Sequence, residues 1–521
     1  MIRLTKIGWD VFYSSDKLSE RDYLETTLKY FDESSIFSTS EYWDGYRKYF
    51  NKRNRSFDFG HLSYVVNKLI KKKINYTISG IDVDIFKPRL QYNKKLHLHQ
   101  LSALYSFFDT KHGVIKVPTR GGKTYIASEA IRLILDQRKE MPVLFFVDSQ
   151  MLFKQAIDDI SGYLNIDKKE IGSINEGKFN IKQINVCKIQ TMQSIFNGEK
   201  RIRKFKMVNK QKVDKSFQEM RDEKKRKREA KRNLLKFLES IGFLIVDECH
   251  EYSSDERMSV VKATKNTEFN LLLSATPNKS EDKFVNITLR GLYGDILYEI
   301  PEKELKDKGI LAKDKIILLH INHSRNKNID FEAINGYQDT VDKLIVNNKE
   351  RNQIAINVIE ICRKLKKKTL VLFSFREHGY NIAKITDDPY LTGYDKIGDR
   401  MMLKDQFLEQ KDGGIMLASN IFNKGLTLPE VEILYNIGGG KEQSSLIQKK
   451  GRVLGTTATK KKAMIIDFID ESDYFADHSL SRLEVYENSV GIDNIIVLNV
   501  YDDDFYTDLR EQIKQWFDDN I

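Results

Sequence analysis

The chain has 521 residues, of which 40% are hydrophobic and 31% charged, and its formal net charge is +11. This length is typical of three or four domains, and the hydrophobic content is sufficient for packed cores. No basic segment followed by an apolar stretch opens the chain, and no apolar run reaches the length of about 18 residues that a membrane span needs. Three widely spaced cysteines argue against a disulfide framework, so we expect a cytoplasmic protein.

The first 90 residues have the pattern of a small α+β domain. Apolar and polar residues alternate from Ile2 to Tyr13, and helical spacing follows at 23–31 and 62–70. Aromatic and basic residues then interleave in a segment that contains Trp43 and Arg47, as they do in proteins that bind single strands or phosphate backbones. A hairpin with one half-buried face explains the same pattern, so both interpretations stay open.

A glycine-rich turn follows between a predicted strand at 114–117 and a predicted helix at 125–135. Such a turn can hold phosphates with its backbone N–H groups, a lysine charge and a Mg²⁺-binding hydroxyl. Val117 replaces the first glycine of the strict phosphate-loop pattern, and an ordinary turn is the alternative. The candidate ATP-binding residues here are Thr119, Arg120, Gly121, Gly122, Lys123 and Thr124.

A second segment strengthens the phosphate-site interpretation. The apolar run 243–246 ends directly in Asp247 and Glu248. Asp247 can hold Mg²⁺ through water together with Thr124, and Glu248 can orient an attacking water. Surface acids at a strand end are the alternative, but together with Lys123 the pair indicates a nucleotide triphosphatase that uses ATP and Mg²⁺.

Strands and helices alternate along two successive parts of the chain, 91–300 and 301–485. This order predicts two tandem α/β domains with parallel sheets, followed by a short extension at 486–521 with a strand and an acidic helix. The predicted strands lie at 114–117, 143–147, 184–189, 243–246 and 271–273 in the first domain, and at 316–320, 369–373, 415–418, 432–437 and 463–467 in the second.

A basic insertion at 199–237 carries all of the excess charge. It has 17 Lys or Arg against 6 Asp or Glu, a difference of +11 that equals the net charge of the whole chain. Good helix formers without an apolar stripe predict a solvated helix or helical hairpin. We expect it to project from the sheet edge opposite the ATP site, either as a nucleic-acid contact or as a solubilising arm.

The ordered set of segments resembles the motifs of superfamily 2 helicases and translocases over residues 90–485. The resemblance rests on Gln100, the turn before Lys123, the Asp247–His250 box and the segments 147–155, 189–192, 274–277, 372–374, 391–393, 418–429 and 448–455.

The resemblance implies two RecA-like domains with ATP bound between them. It further implies that Lys123, Glu248 and Arg452 are catalytic and that Gln100, Gly425 and Gln448 also contact ATP. It assigns coupling of hydrolysis to movement to His250, Ser274 and Thr276. It assigns nucleic-acid contact to Ser149, Lys154, Gln190, Thr191 and Ser419.

Two positions depart from the family pattern. Gly455 stands where a second arginine is usual, and Thr427 where an Asp is frequent. Either Arg452 suffices, or Lys450 or Lys460 substitutes for the missing arginine, or hydrolysis is slow.

Within the superfamily the sequence is similar to UvsW-type phage recombination helicases, through Trp43-Asp44-Gly45, Phe59-Gly60 and Gly451–Leu454. This implies ATP-dependent action on branched DNA (Holliday junctions, forks, D-loops or R-loops) in recombination, repair or replication. It also implies RNA in hybrids and single-strand-binding or recombination proteins as partners. For a phage-encoded chain, the expected cytoplasm is that of the bacterial host. A duplex translocase without strand separation, an RNA helicase and a nucleotide-gated binding protein with weak ATPase activity remain alternatives.

Overall fold

The computed structural model describes residues 1–37, 43–81, 86–88, 96–175, 178–198, 205–208, 211–214, 216–278, 282–326, 329–410, 413–419, 428–439, 446, 450–451, 453–457 and 459–518. The chain divides into two compact units by its internal contacts. The first comprises 1–117 and 122–300, and the second comprises 118–121 and 301–521. Among the described residues, no helix is long and apolar enough to cross a lipid bilayer.

The described strands and helices alternate along most of the chain. The strands are β1 Ile2–Ile7, β2 Asp10–Ser14, β3 Lys29–Phe31, β4 Tyr46–Lys48, β5 Phe50–Asn51, β6 Ser56–Asp58, β7 Tyr76–Ser79, β8 His112–Lys116, β9 Val143–Val147, β10 Ile171–Asn175, β11 Lys178–Asn180, β12 Ile184–Lys188, β13 Phe205–Val208, β14 Gln211–Asp214, β15 Phe243–Asp247, β16 Phe269–Ser274, β17 Ile296–Glu299, β18 Lys313–Asn322, β19 Thr369–Phe373, β20 Tyr390–Leu391, β21 Ile415–Ser419, β22 Ile433–Asn436, β23 Lys462–Glu471 and β24 Ile495–Asn499. The helices are α1 Leu18–Thr27, α2 Leu62–Lys71, α3 Leu98–Thr110, α4 Lys123–Gln137, α5 Gln150–Leu164, α6 Ile189–Phe196, α7 Phe217–Ser240, α8 Asp255–Lys262, α9 Lys283–Tyr293, α10 Glu302–Asp307, α11 Gly336–Val341, α12 Lys349–Lys364, α13 Arg376–Thr386, α14 Ile397–Glu409, α15 Asp473–Val490 and α16 Phe505–Asp518.

The N-terminal part of the first unit is a five-stranded sheet in the order β5-β6-β2-β1-β7, with α1 and α2 supplying buried leucines to its core. It is attached to the rest of the unit by specific contacts. Trp9 Nε1 donates to the carbonyl of Thr264 at 3.0 Å, and Lys262 pairs with Asp58 at 2.5 Å. The alternating pattern at the start of the chain therefore forms the predicted α+β structure, and it packs on the sheet that follows.

The main sheet of the first unit has eight strands in the order β11-β10-β12-β9-β15-β16-β8-β17. All neighbouring pairs are parallel except the pair of β10 and β11. The central strands are buried because helices cover both faces, which explains why they read as continuous apolar runs.

The main sheet of the second unit has seven strands in the order β20-β21-β19-β22-β23-β18-β24, and every described pair is parallel. The predicted strands in both parts of the chain are confirmed, as is the predicted fold class of two tandem parallel-sheet α/β domains. The C-terminal strand and acidic helix are present as β24 and α16, whose Trp516 donates to the carbonyl of Ala463 at 2.8 Å.

The basic insertion differs from its prediction in two respects. Part of it is a two-stranded antiparallel ladder of β13 and β14 and not a helix, because apolar Phe205 and Met207 alternate with polar neighbours at the period of a strand. Its C-terminal part is α7, a helix of 24 residues that extends to Ser240.

The expected direction of the insertion is also wrong. A helix that connects two parallel strands runs from the carboxyl edge of the sheet back to the amino edge, and α7 ends two residues before β15. Its 24 residues span about 36 Å, whereas the five residues of β15 span about 17 Å. The N-terminal half of α7 therefore extends past the carboxyl edge of the sheet.

Candidate active site

The candidate residues of the first unit gather at the carboxyl edge of its sheet. Because β8, β9, β12, β15 and β16 are parallel neighbours, their carboxyl ends meet there. Each of these strands is followed by one of the predicted segments. The predicted functional segments are therefore brought to one edge by topology alone.

The phosphate-loop turn has the backbone conformation that its glycine permits. Gly122 has φ +86°, immediately before α4 begins at Lys123, and a Cβ there would lie 2.0 Å from Gln100 Nε2. Gln100 Nε2 donates to the Gly122 carbonyl at 3.4 Å, and Gln100 Oε1 accepts from the backbone of His97 at 2.8 Å. Gln100, which the family resemblance assigns to ATP contact, thus touches the turn itself.

The preceding residues make a tight bend. Arg120 has φ +71°, and the N–H of Gly121 donates to the carbonyl of Pro118 at 3.0 Å. Thr119 Oγ1 is buried and has no hydrogen-bond partner among the residues described. Thr124 lies in the first turn of α4, one residue after Lys123.

Lys123 and the two acidic residues form the centre of the site. Lys123 Nζ lies 3.4 Å from Glu248 Oε1, and both side chains are largely buried. Burial raises the pKa of Asp247 to about 7, with Glu248 adding to the rise and Lys123 opposing it. Within the described part of the chain, Asp247 Oδ1 has no hydrogen-bond partner although it is buried.

These features fit a magnesium nucleotide. A buried carboxylate oxygen without a partner suits a cation or its bound water, and Mg²⁺ commonly uses one or two carboxylates together with substrate phosphates. The turn before α4 supplies N–H groups and the positive end of a helix of 15 residues. Thr124 and Asp247 are the residues that would hold Mg²⁺, and the turn and Lys123 would hold the phosphates.

The predicted coupling residues are in direct contact. His250 Nδ1 and Ser274 Oγ are 2.9 Å apart, and His250 is buried. Ser274 Oγ also accepts from the N–H of Thr276 at 3.0 Å. His250 Nδ1 lies 3.4 Å from Glu248 Oε2, so the chain of contacts begins at the acidic pair.

A second set of contacts was not predicted from the sequence. Gln190 Nε2 donates to Asp148 Oδ1 at 2.8 Å, and Arg257 Nη2 donates to the same oxygen at 2.5 Å. Arg257 Nη1 donates to the carbonyl of Glu251 at 2.7 Å. Asp148 and Arg257 therefore connect the ends of β9 and β12 with Glu251, the residue after His250. The only sequence signal for these contacts was the place of Asp148 in the motif that begins at Val147.

The other predicted strand-contact residues of this edge differ in exposure. Ser149 Oγ caps α5 by accepting from the N–H of Leu152 at 3.2 Å, and Lys154 is exposed one turn later. Thr191 is buried at the start of α6. Ser419 ends β21 in the second unit and is also buried.

Trp43 and Arg47 lie in the N-terminal part of the first unit. Trp43 is 37% exposed. Arg47 is also exposed, and it forms an ion pair of 2.7 Å with Asp32 and lies over the ring of Phe284. The aromatic and basic pattern thus includes an arginine with a structural role and a tryptophan that reaches solvent.

Gly425, Gln448 and Arg452 lie outside the described residues, as does Thr427. Lys450 and Lys460, the two possible substitutes for a second arginine, lie within the described residues, and the amino group of each already has protein partners. Lys450 is buried and pairs with Glu302 at 2.6 Å and Asp314 at 3.2 Å.

Lys460 is held in a different way. Its Nζ donates to the carbonyls of Pro429 at 3.0 Å and Gly455 at 3.2 Å, and also to that of Val453. Burial lowers the pKa of Lys460 to about 7. The three hydrogen bonds of its Nζ hold the backbone around Gly455 in place.

Comparisons with known proteins identify similar sequences. The family model for the type III restriction enzyme, res subunit, matches residues 93–279. The chain is 24% identical to the DNA 3'-5' translocase XPB2 of Sulfurisphaera tokodaii over 87% of this chain and 95% of the relative. It is 21% identical to the ATP-dependent DNA helicase uvsW of Enterobacteria phage T4 over 82% of this chain and 83% of the relative.

A solved structure supports the fold. The structure of S. cerevisiae Dbp5 bound to RNA and ADP BeF3 aligns with a TM-score of 0.51 and 12% identity, covering 81% of this chain and 97% of the other. The two parallel-sheet domains of the chain thus have the architecture of that protein.

Proposed function

We propose that the chain is an ATP-hydrolysing helicase of superfamily 2 and a DNA motor that acts on branched DNA in recombination, repair or replication. The observation that carries the proposal is the buried pair of Lys123 and Glu248, beside an Asp247 oxygen that has no hydrogen-bond partner among the described residues. This pair lies at the edge where the strand-contact motifs also end. DNA as the polymer is supported by the names of the translocase XPB2 and the helicase uvsW. We also propose action in the cytoplasm, beside single-strand-binding or recombination proteins, with RNA engaged in hybrids.

In the proposed mechanism the turn at 119–124 binds the phosphates of ATP through its N–H groups, and Lys123 balances their charge. Mg²⁺, held at Thr124 and Asp247, would neutralise charge that develops on the phosphates. Glu248 orients the attacking water, and Arg452, Gly425 and Gln448 complete the nucleotide contacts as the family resemblance assigns them.

The proposed coupling begins at Glu248 and passes to His250 and then Ser274. A change in the charge beside Glu248 alters the hydrogen bond between His250 and Ser274, because the Glu248 carboxylate and the Ser274 hydroxyl both approach Nδ1 of His250. Ser149, Lys154, Gln190 and Thr191 would grip a phosphate backbone on one unit and Ser419 on the other, so that hydrolysis produces directed movement.

The proposal is tested by comparing ATP turnover on five nucleic acids: single-stranded DNA, duplex DNA, a fork, a four-way junction and an RNA–DNA hybrid. We expect the fork and junction to stimulate most, and Glu248→Gln to abolish turnover while it still binds ATP. Equal stimulation by all five would contradict the preference for branched DNA. ATP-dependent DNA binding with negligible wild-type turnover would indicate a nucleotide-gated binding protein instead.

A duplex translocase that does not separate strands is the second candidate, because the matching family model describes a restriction enzyme subunit and one relative is named a translocase. Strand displacement and triplex displacement distinguish the two functions when they are measured on the same preparation. Release of a third strand without separation of a fork would favour the second candidate.

A further inference from the structure

The outer face of α7 carries a stripe of cations. Arg221, Lys225, Arg228, Arg232 and Lys236 follow one another at intervals of four, three, four and four residues. This spacing places them on one face of an α-helix, with successive members about 5 to 6 Å apart along the axis. We name this set the basic stripe; Asp222 and Glu229 lie on its flank, and Glu239, which pairs with Lys265, follows Lys236 at its C-terminal end.

The basic stripe faces away from the protein core. The buried residues of α7 are Leu234 and Leu238, about 140° around the helix from the stripe. All five stripe side chains belong to exposed residues. Lys231 lies on the same side of α7 as these leucines, and its Nζ is 4.6 Å from the ring centroid of Phe196 on α6.

The position of the stripe relates it to the site already described. Since α7 runs from beyond the carboxyl edge of the sheet to its amino edge, Arg221 and Lys225 lie past the edge at which β9, β12 and β15 end. Ser149, Gln190 and Asp247 lie at that same edge. A polymer bound by the strand-contact motifs therefore passes on the side from which the stripe extends.

From these observations we propose that the basic stripe binds the phosphate backbone of a duplex DNA arm next to the strand on which the motor acts. Duplex DNA carries one negative charge about every 1.7 Å of its axis, so a row of cations that is about 22 Å long can meet several phosphates at once. The contact positions the substrate and does not read its sequence. This inference rests on the proposed DNA motor and adds a second DNA surface to it.

The test compares two double variants of the same helix. Lys225→Gln with Arg232→Gln removes two stripe charges, and Lys224→Gln with Arg226→Gln removes two exposed charges from outside the stripe. Binding of a labelled four-way junction and of a single-stranded 30-mer is measured over a range of salt concentrations. Circular dichroism checks that both variants keep the helix, for which glutamine has a good propensity.

For junction binding by the stripe variant, we expect the slope of the logarithm of the binding constant against the logarithm of the salt concentration to be shallower by about 1.8. This change corresponds to two lost phosphate contacts on duplex DNA. The single-stranded 30-mer should be bound with an unchanged slope, and the control variant should match the wild type on both probes. Equal flattening in both variants, or none in either, would overturn the proposal. If no DNA stimulates wild-type ATP turnover, the proposed motor function fails instead, so the two failures are distinguishable.

Discussion

Glu248, the proposed water-orienting residue, is held in place at a local conformational cost. It has φ +48°, in the left-handed region that a glutamate seldom occupies. Such a conformation costs about 1 to 3 kcal/mol and persists only when the surroundings enforce it. Here it directs the carboxylate toward both Lys123 and His250, at 3.4 Å from each.

The occupied states of Lys450 and Lys460 lead to a prediction for Arg452. Because one lysine is paired with two carboxylates and the other with three carbonyls, neither is available to balance charge on a phosphate. We therefore expect Arg452→Ala to lower the ATPase kcat by roughly 10³-fold or more, the range of a lost arginine finger.

The matched control for this prediction is Arg510→Ala, on the exposed face of α16. Steady-state ATP turnover at saturating DNA should be unchanged in the control. Wild-type turnover in Arg452→Ala would mean that another group completes the site.

At the scale of elements, the bridge of Asp148 and Arg257 joins three strand ends. It connects the helix start at Gln190 with the backbone of Glu251, one residue after His250. Asp148 and Arg257 are both largely buried, so the contact is more persistent than a surface ion pair. Such a chain of hydrogen bonds is suited to transmit the state of the nucleotide site to the strand-contact motifs.

We predict that Arg257→Met lowers the ratio of DNA-stimulated to DNA-free ATP turnover by about 5- to 150-fold, the usual range of coupling between two sites. Arg257→Lys should restore part of the ratio because it returns the charge. Arg290→Met is the control, since Arg290 forms an ion pair with Asp295 at 2.8 Å in the same unit. A parallel fall of both turnover rates in Arg257→Met would indicate a structural role only.

The sequence was sufficient for five strands of each main sheet, for a physical reason, but β10, β11, β17 and β20 were not predicted. Strands such as Val143–Val147 are buried on both faces, so they appear as apolar runs that need no knowledge of their neighbours. The bridge of Asp148 and Arg257 could not be predicted, because it joins residues 109 positions apart and Arg257, unlike Asp148, belongs to no recognised motif. The ladder of β13 and β14 was missed because charge dominated the interpretation of a short alternating segment.

At the scale of the whole molecule, buried neutral histidines make both units sensitive to acid. Burial lowers the pKa of His112 to about 3 and that of His61 to about 4 in the first unit, and lowers the pKa of His378 to about 3 in the second. The ordinary value in an unfolded chain is about 6.5. Each histidine must therefore gain a proton on unfolding at acid pH, so its contribution to stability is complete above pH 6.5 and is lost as the pH falls toward 3 or 4.

His112 offers the sharpest test of this effect. Its ring lies between Trp9 and Phe59, with centroids at 5.4 and 4.8 Å, and both ring nitrogens lack a hydrogen-bond partner within the described part of the chain. At pH 5 the depressed pKa of His112 should lower the wild-type free energy of unfolding by about 2 kcal/mol, because each pH unit below 6.5 costs about 1.36 kcal/mol. His112→Phe should remove that loss, so its thermal midpoint should fall less than the wild-type midpoint between pH 7.5 and pH 5. His320→Gln, at a half-exposed position, controls for the loss of any histidine. An equal fall of the thermal midpoint in His112→Phe and in the wild type would show that the neutral ring between Trp9 and Phe59 does not set the acid sensitivity.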